Sequence, residues 1–344
     1  MIPLMRPDFP DLRKVHRIFQ RAHDYQFTNF GKLAVEVEDK LGLVMKGFAL
    51  PVVNGTAALT VAANSLGLRG KRVLIPDFTH SGTLLGLIQA GCEPVFGGVD
   101  DKSWVLELDL AEAFHNKFDA VCVVSPFGYE VDFFRWEKFS LEYDKPIIYD
   151  LAGAWGKFPP VANPRCYSFH STKNFGVGEG GCVVFPTKEL RDSARRVTNF
   201  GTLPDRSIES LEGFNCKIDE LKAATILARL DDAFEVKKRI EAKNKVLTFY
   251  SQEIKGAFLP KGHHNPSLCV LGNLPAKEIE EAGLRAGIQF KQYYPLLTHM
   301  PALREIERIY SSSEKMLHCL ALPSDVSFNE AEKVVNFVNK FLEA

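Results

Sequence analysis

The sequence lacks several features that would narrow its function, and each absence excludes something. Its 344 residues hold no Cys-x-x-Cys pair and no Cys/His cluster at zinc spacing, so no metal site is expected. The seven cysteines (Cys92, Cys122, Cys166, Cys182, Cys216, Cys269, Cys319) are scattered, odd in number and mostly flanked by apolar residues. They read as buried, reduced thiols of a cytosolic protein. No apolar run approaches the roughly 20 residues needed to span a bilayer. The opening "MIPLMRPDFP" places prolines and an acid where a signal peptide needs a continuous apolar stretch. The expectation is a soluble, cytoplasmic chain with no membrane partner. Neither sign of charge dominates: 25% of residues are charged and the net charge is −1, so no global field points to nucleic acid. What is present is an ordinary globular share of hydrophobic residues, 46%, in a chain long enough for two lobes.

From residue 50 to 185, short apolar runs alternate with helical patterns. Residues 72–78, 93–99, 118–128, 145–153, 165–171 and 181–186 read as strands, and 83–91 as a helix closed by glycine. Several runs are continuously apolar, the mark of strands buried on both faces. Strands alternating with helices predict a mainly parallel sheet in an α/β layer, with functional loops at the carboxyl ends of the strands. Residues 218–254 contain no glycine or proline and keep helical spacing, as one long helix or two nearly continuous ones. Residues 329–342 form an amphipathic helix with Val334, Val335, Val338 and Phe341 on its apolar side.

Residues 168–181, "SFHSTKNFGVGEGG", set Lys173 among small hydroxyl residues and glycines. Gly176 to Gly181 matches G-x-G-x-x-G, yet it runs into a strand pattern where a dinucleotide fingerprint needs a helix. No glycine precedes the lysine at P-loop spacing. Asn54-Gly55-Thr56 opens an Ala/Leu-rich helix whose Gly55, Thr56 and Ala57 amides would suit a phosphate, or would merely be an ordinary N-cap. Asp150 ends an apolar strand, where a carboxylate needs a partner: a protonated pyridine nitrogen, or water and a helix cap. His80 follows another strand and could stack on a flat ring or be a simple loop residue. Lys173 follows Asp150 by 23 residues with one strand between, so both belong at one edge of the sheet. Desolvation would lower the lysine pKa from about 10.4 toward the range Schiff-base chemistry needs, while Ser168, Ser171 and Thr172 offer bonds to a phosphate.

Together with "NGTAAL", "VLIPDFTHSGTLLGLIQAGCEPVFGGVD", "IIYDLAGAWG", "GFNCKIDELKAA" and "GIQFKQYYPLLTHMPAL", this segment resembles the DegT/DnrJ/EryC1/StrS family of sugar aminotransferases over nearly the whole chain. The resemblance implies fold type I. That means a large domain (1–235, N-terminal arm included) with a mainly parallel seven-stranded sheet flanked by helices, and a smaller α+β C-terminal domain (236–344). It implies pyridoxal 5′-phosphate, alternating with its amine form, as cofactor. Lys173 would carry it as an imine, Asp150 would hold the ring nitrogen protonated, and His80 would stack on the ring. Gly55, Thr56 and Ser168 would bind its phosphate, and Asn215 would reach that phosphate from the neighbouring subunit of a homodimer with shared active sites. The amino donor would be glutamate and the acceptor a nucleotide-linked keto-sugar for surface polysaccharide or glycoconjugate synthesis.

Departures from the family pattern concern the substrate more than the cofactor. Gly153 stands where relatives commonly carry histidine or glutamine, Asn54 replaces serine, and Lys217 replaces arginine. The chain is somewhat short for the family, which implies trimmed loops around the sugar site and leaves a smaller, non-nucleotide keto substrate as an alternative. A sugar dehydratase is the first rival, but resembling dehydratases replace the lysine by histidine. A non-enzymatic regulator would be expected to carry an added DNA-binding segment, which the sequence does not show, and a nicotinamide oxidoreductase would need a helix after the glycine run and an acid at the end of the next strand.

Overall fold

The computed structural model describes residues 1–23, 31–203, 205–260, 266–310 and 313–344. Helices α1 (Leu12–His23) and α2 (Lys32–Met45) lead into strand β1 (Phe48–Val52), followed by α3 (Gly55–Ser65), β2 (Arg72–Pro76), α4 (Ser81–Gln89) and β3 (Glu93–Gly97). Next come α5 (Leu108–Ala113), β4 (Ala120–Val124), α6 (Phe133–Tyr143), β5 (Ile147–Asp150), β6 (Arg165–Ser168) and β7 (Gly181–Phe185). The remainder is α7 (Lys188–Thr198), α8 (Glu220–Asp231), α9 (Ala233–Glu253), β8 (Cys269–Leu271), α10 (Ala276–Arg285), β9 (Lys291–Gln292), β10 (Arg308–Tyr310), β11 (Leu320–Leu322) and α11 (Phe328–Glu343).

The large sheet has the order β1-β7-β6-β5-β4-β2-β3-β10. Only β7 runs against the others, pairing antiparallel with both β1 and β6. The expected seven strands are β1 to β7, and the sheet gains an eighth: short β10, from late in the chain, pairs parallel with β3. The continuously apolar runs are explained by burial on both sides. Along β4, Val121 and Val123 enter one core with α1, α2 and α8, whereas Ala120, Cys122 and Val124 enter another with α3 and α4. A third core joins the three-stranded sheet β8-β11-β9 to α9, α10 and α11, and takes in Leu4 from the start of the chain.

The observed strands stop short of the expected ones. Residues 77–78, 125–128, 151–153 and 169–171 leave the sheet and become the loops at its edge. The apolar pattern marks six of the seven strands; β1, the seventh, is masked by Pro51, which is tolerated there because β1 is an edge strand. The 218–254 segment forms two helices divided at Asp232. Helix α11 starts with a capping box, the Ser327 side chain accepting from the Glu330 amide while Glu330 accepts from the Ser327 amide. All seven cysteines are buried and unpaired, and burial raises the Cys92 thiol to about 11. Among the described residues no helix is long and apolar enough to cross a membrane.

Candidate functional site

Because β7 reverses, the connection from β6 to β7 is a hairpin that opens at the edge where β2, β4 and β5 end. The strand order also reverses direction between β2 and β4, the place where open α/β sheets part their loops and form a crevice. A cavity of about 450 Å³ lies at this edge, lined by Gly55, Thr56, His80, Asp150, Ser168 and Lys173. Six of the seven residues singled out in the sequence are therefore brought together.

Asp150 forms the floor and is buried. Thr83 Oγ1 donates to its Oδ2 at 2.8 Å, Thr79 and Thr83 share a 2.9 Å bond, and the Ala152 amide donates to Oδ1 at 3.1 Å. Lys173 occupies the hairpin. Its amide donates to the His170 carbonyl at 2.8 Å, and its carbonyl accepts from the Gly176 amide at 3.0 Å. Burial lowers the Lys173 pKa, while the Asp150 carboxylate pulls it back up without an ion pair within 4.0 Å. The neutral form of this amine is therefore easier to reach than that of an exposed lysine.

The glycines are needed for contact between backbones. A Cβ on Gly181 would lie 2.5 Å from the Asn54 carbonyl, and one on Gly176 would lie 2.8 Å from the Ser171 carbonyl. The Gly176–Gly181 run enters β7, so no helix follows it.

At the start of α3, the Asn54 side chain accepts the Ala57 amide at 2.8 Å. This corrects the expectation of three available amides: the cap takes the third and leaves those of Gly55 and Thr56, at the first two helical positions. Gly55 faces Ser168 so closely that a Cβ would fall 2.9 Å from the serine Cβ, which keeps backbone and hydroxyl together around one small space. Such a space suits an anion. His80 caps α4, its Nδ1 accepting from the Gly82 amide at 3.0 Å. The cavity walls first, and then the positive charge of Lys173, lower the His80 pKa and favour a neutral ring.

Asn215 does not line this cavity. It is exposed, and its Oδ1 accepts from Lys217 Nζ at 2.6 Å. Lys217 Nζ in turn lies 4.6 Å above the Phe200 ring. Sequence reasoning missed other residues of the site. Thr79 and Thr83, which hold Asp150, are four apart across the start of α4, a spacing that could have been noticed. Tyr294 and Phe127 stack at 5.0 Å and 8° as one wall, and Met5 joins from the start of the chain. These come from distant segments and leave no local pattern. Phe127 has a left-handed backbone (φ 55), and Gly128 after it packs on Gly153, where a Cβ would lie 2.7 Å from the Gly128 nitrogen. The backbone of residues 127–128 thus occupies the space a side chain at position 153 would need.

The arrangement offers an anion cradle, a buried carboxylate able to take a cationic ring nitrogen, and a deprotonatable amine around one cavity. Known proteins resemble this chain over most of its length. The sequence model of the DegT/DnrJ/EryC1/StrS aminotransferase family matches residues 12–339. Protein Rv3402c of Mycobacterium tuberculosis is 30% identical over 270 residues, which is 72% of this chain and 64% of that protein. UDP-2-acetamido-2-deoxy-3-oxo-D-glucuronate aminotransferase of Pseudomonas aeruginosa is 27% identical over 310 residues, 85% of each chain. The sugar aminotransferase CalS13 of Micromonospora echinospora superposes with a TM-score of 0.86 at 22% identity, covering 99% of this chain and 100% of its own. That last likeness is one of fold, and the shared fold is the expected fold type I architecture.

Proposed function

The chain belongs to the DegT/DnrJ/EryC1/StrS aminotransferase family, and from that premise we propose that it is a pyridoxal 5′-phosphate-dependent aminotransferase. In this reading it moves the amino group of glutamate onto a nucleotide-linked keto-sugar for surface polysaccharide or glycoconjugate synthesis. The observation that carries the proposal is the placement of Lys173, Asp150, Ser168 and the start of α3 around one cavity. The Pseudomonas relative, by its name, acts on a UDP-linked oxo-sugar, which supports the acceptor class. The division into a cofactor-binding part (1–235) and a smaller part (236–344) belongs to the same reading.

The residues fit the cofactor. Gly55 and Thr56 offer amides and Ser168 a hydroxyl to its phosphate, and Asp150 offers a carboxylate that Thr83 and the Ala152 amide already orient. When bound, pyridoxal phosphate supplies an aldehyde that exchanges with amines and a ring that withdraws electrons. The Lys173 amine is the base that takes the α-proton of the donor amino acid and returns a proton to the acceptor carbon. Its lowered pKa makes the neutral, accepting form available. His80, kept neutral, presents a flat face without competing for the proton.

The proposed homodimer accounts for Asn215, which is exposed and outside its own chain's cavity. Phe200, Ile208 and Leu211 are exposed apolar residues on the same 199–215 segment, 54%, 68% and 95% accessible, and a second copy would cover them. The 127–128 backbone fills the space beside Gly153, which supports a smaller, non-nucleotide keto substrate as the alternative acceptor.

The test starts with purified protein loaded with pyridoxal phosphate. Borohydride reduction and peptide mapping are expected to find the pyridoxyl group on Lys173, and a label elsewhere would sink the proposal. Added glutamate should shift the absorbance and release 2-oxoglutarate. A mass-spectrometric screen of nucleotide-linked and free keto-sugars then separates the two substrate classes.

A further inference from the structure

The turn that carries Lys173 is held from behind by cations the site does not use. Arg229, fully buried on α8, donates from Nε to the Gly176 carbonyl at 3.0 Å. Lys222, seven residues earlier on the same helix, donates to the Val177 carbonyl at 3.1 Å. Lys243, buried on α9, donates to Asn174 Oδ1 at 3.3 Å, and Asn174 Nδ2 donates to the Pro266 carbonyl at 3.3 Å. On its inner side the turn is anchored by Phe175, stacked on Trp155 at 3.7 Å.

Arg229 and Lys243 are joined, through Arg239, by two carboxylates from opposite ends of the chain. Asp8 accepts from Arg229 at 2.8 Å and lies 2.6 Å from Arg239. Asp325 accepts from Arg239 at 2.8 Å and lies 3.7 Å from Lys243. The order Gly176–Arg229–Asp8–Arg239–Asp325–Lys243–Asn174 forms a clasp whose two ends grip backbone and side chain on either side of Phe175. A cation buried against a single neutral carbonyl is poorly compensated unless carboxylates accompany it. Burial lowers the Lys243 pKa and Asp325 holds it up, consistent with that requirement.

We infer that Arg229 and Lys243 are positioning residues for Lys173, and that Asp8 and Asp325 hold them to the task, so that the N-terminal arm and the segment before α11 set the geometry of the active-site turn. The inference rests on the reading of Lys173 as the reacting amine. A turn displaced by even about 1 Å would cost catalysis far more than it costs stability.

Hydrogen–deuterium exchange on the full, cofactor-free chain tests the clasp without any ligand. Lys243→Met and the milder Asp8→Asn are expected to speed exchange across 169–180 about 10-fold, while β4 and β5 peptides keep wild-type rates. Lys243→Arg, which keeps the cation, should restore slow exchange. In the loaded enzyme Lys243→Met should lower kcat about 10-fold and leave the KM for glutamate within about two-fold. Unchanged exchange across 169–180 in the folded variants overturns the inference. Equal acceleration in β4 and β5 also overturns it, as does a loosened turn with wild-type kcat. Should the wild-type protein show no amino exchange, the proposed function falls, while the deuterium result still decides whether the cations hold the turn.

Discussion

Two groups of buried and half-buried charge lie on either side of one turn, and they are built oppositely. In the cavity, Asp150 acts on Lys173 without forming an ion pair, and threonine and backbone groups satisfy the carboxylate. Behind the turn, Arg229, Arg239 and Lys243 each find a carboxylate within 4.0 Å. Paired buried charges are scaffold. Unpaired ones across an open cavity keep free energy available for a ligand that will complete them, at some expense in stability.

The sharpest way to break this contrast is to neutralise one charge in each group. Asp150→Asn is expected to lower amino-exchange activity about 10²–10³-fold, the cost of leaving a buried cation without its carboxylate. In the cofactor-free protein the same change should be neutral or slightly stabilising in urea unfolding. Arg229→Met should do the reverse to the fold, destabilising it by about 2 kcal/mol through the lost bonds to Gly176 and Asp8. The figure stays below that of a fully buried pair because Asp8 remains in contact with water. If Asp150→Asn destabilised the empty protein as much as Arg229→Met, the contrast would be lost.

Gly153→Ala probes the cavity wall. Its Cβ would meet the backbone of Phe127 and Gly128 at 2.7 Å, so about 1 kcal/mol or more of destabilisation is expected, read from the urea midpoint. No change would mean that the 127–128 loop shifts freely and that the wall does not limit the substrate.

The smallest effect is a pH dependence. Acylation of Lys173 in the cofactor-free protein, mapped by mass spectrometry across pH, should show a midpoint below the ordinary lysine value of about 10.4. Its pKa is lowered on folding, so between the folded and unfolded midpoints the unfolded chain binds more protons. Stability contributed by this residue therefore rises with pH through that window, and the penalty is fully present below the folded midpoint. Labelling that tracks an exposed lysine would show that the amine is not desolvated.

The α/β class, the strand series from 72 to 186 and six residues of the cavity were legible because they leave local marks. Apolar runs bounded by proline, aspartate and glycine identify strands whose faces are both covered, and Lys173 stands out among small residues. Strand β1 was hidden by Pro51, and β10 by its three-residue length, since it is a strand only because the edge of β3 is open to it.

By itself, the order of residues determined the family and the kinds of group that meet at the sheet edge, because motif spacing and hydrophobic period are properties of a linear chain. Only the tertiary structure decided that the Ala57 amide is spent on its own cap and that Gly153 is closed over by another segment's backbone. It alone brought Asp8 and Asp325, over three hundred positions apart, to share Arg239 behind the reactive turn. Those outcomes depend on distances between segments remote in sequence, and Coulomb and packing forces act on distance in space.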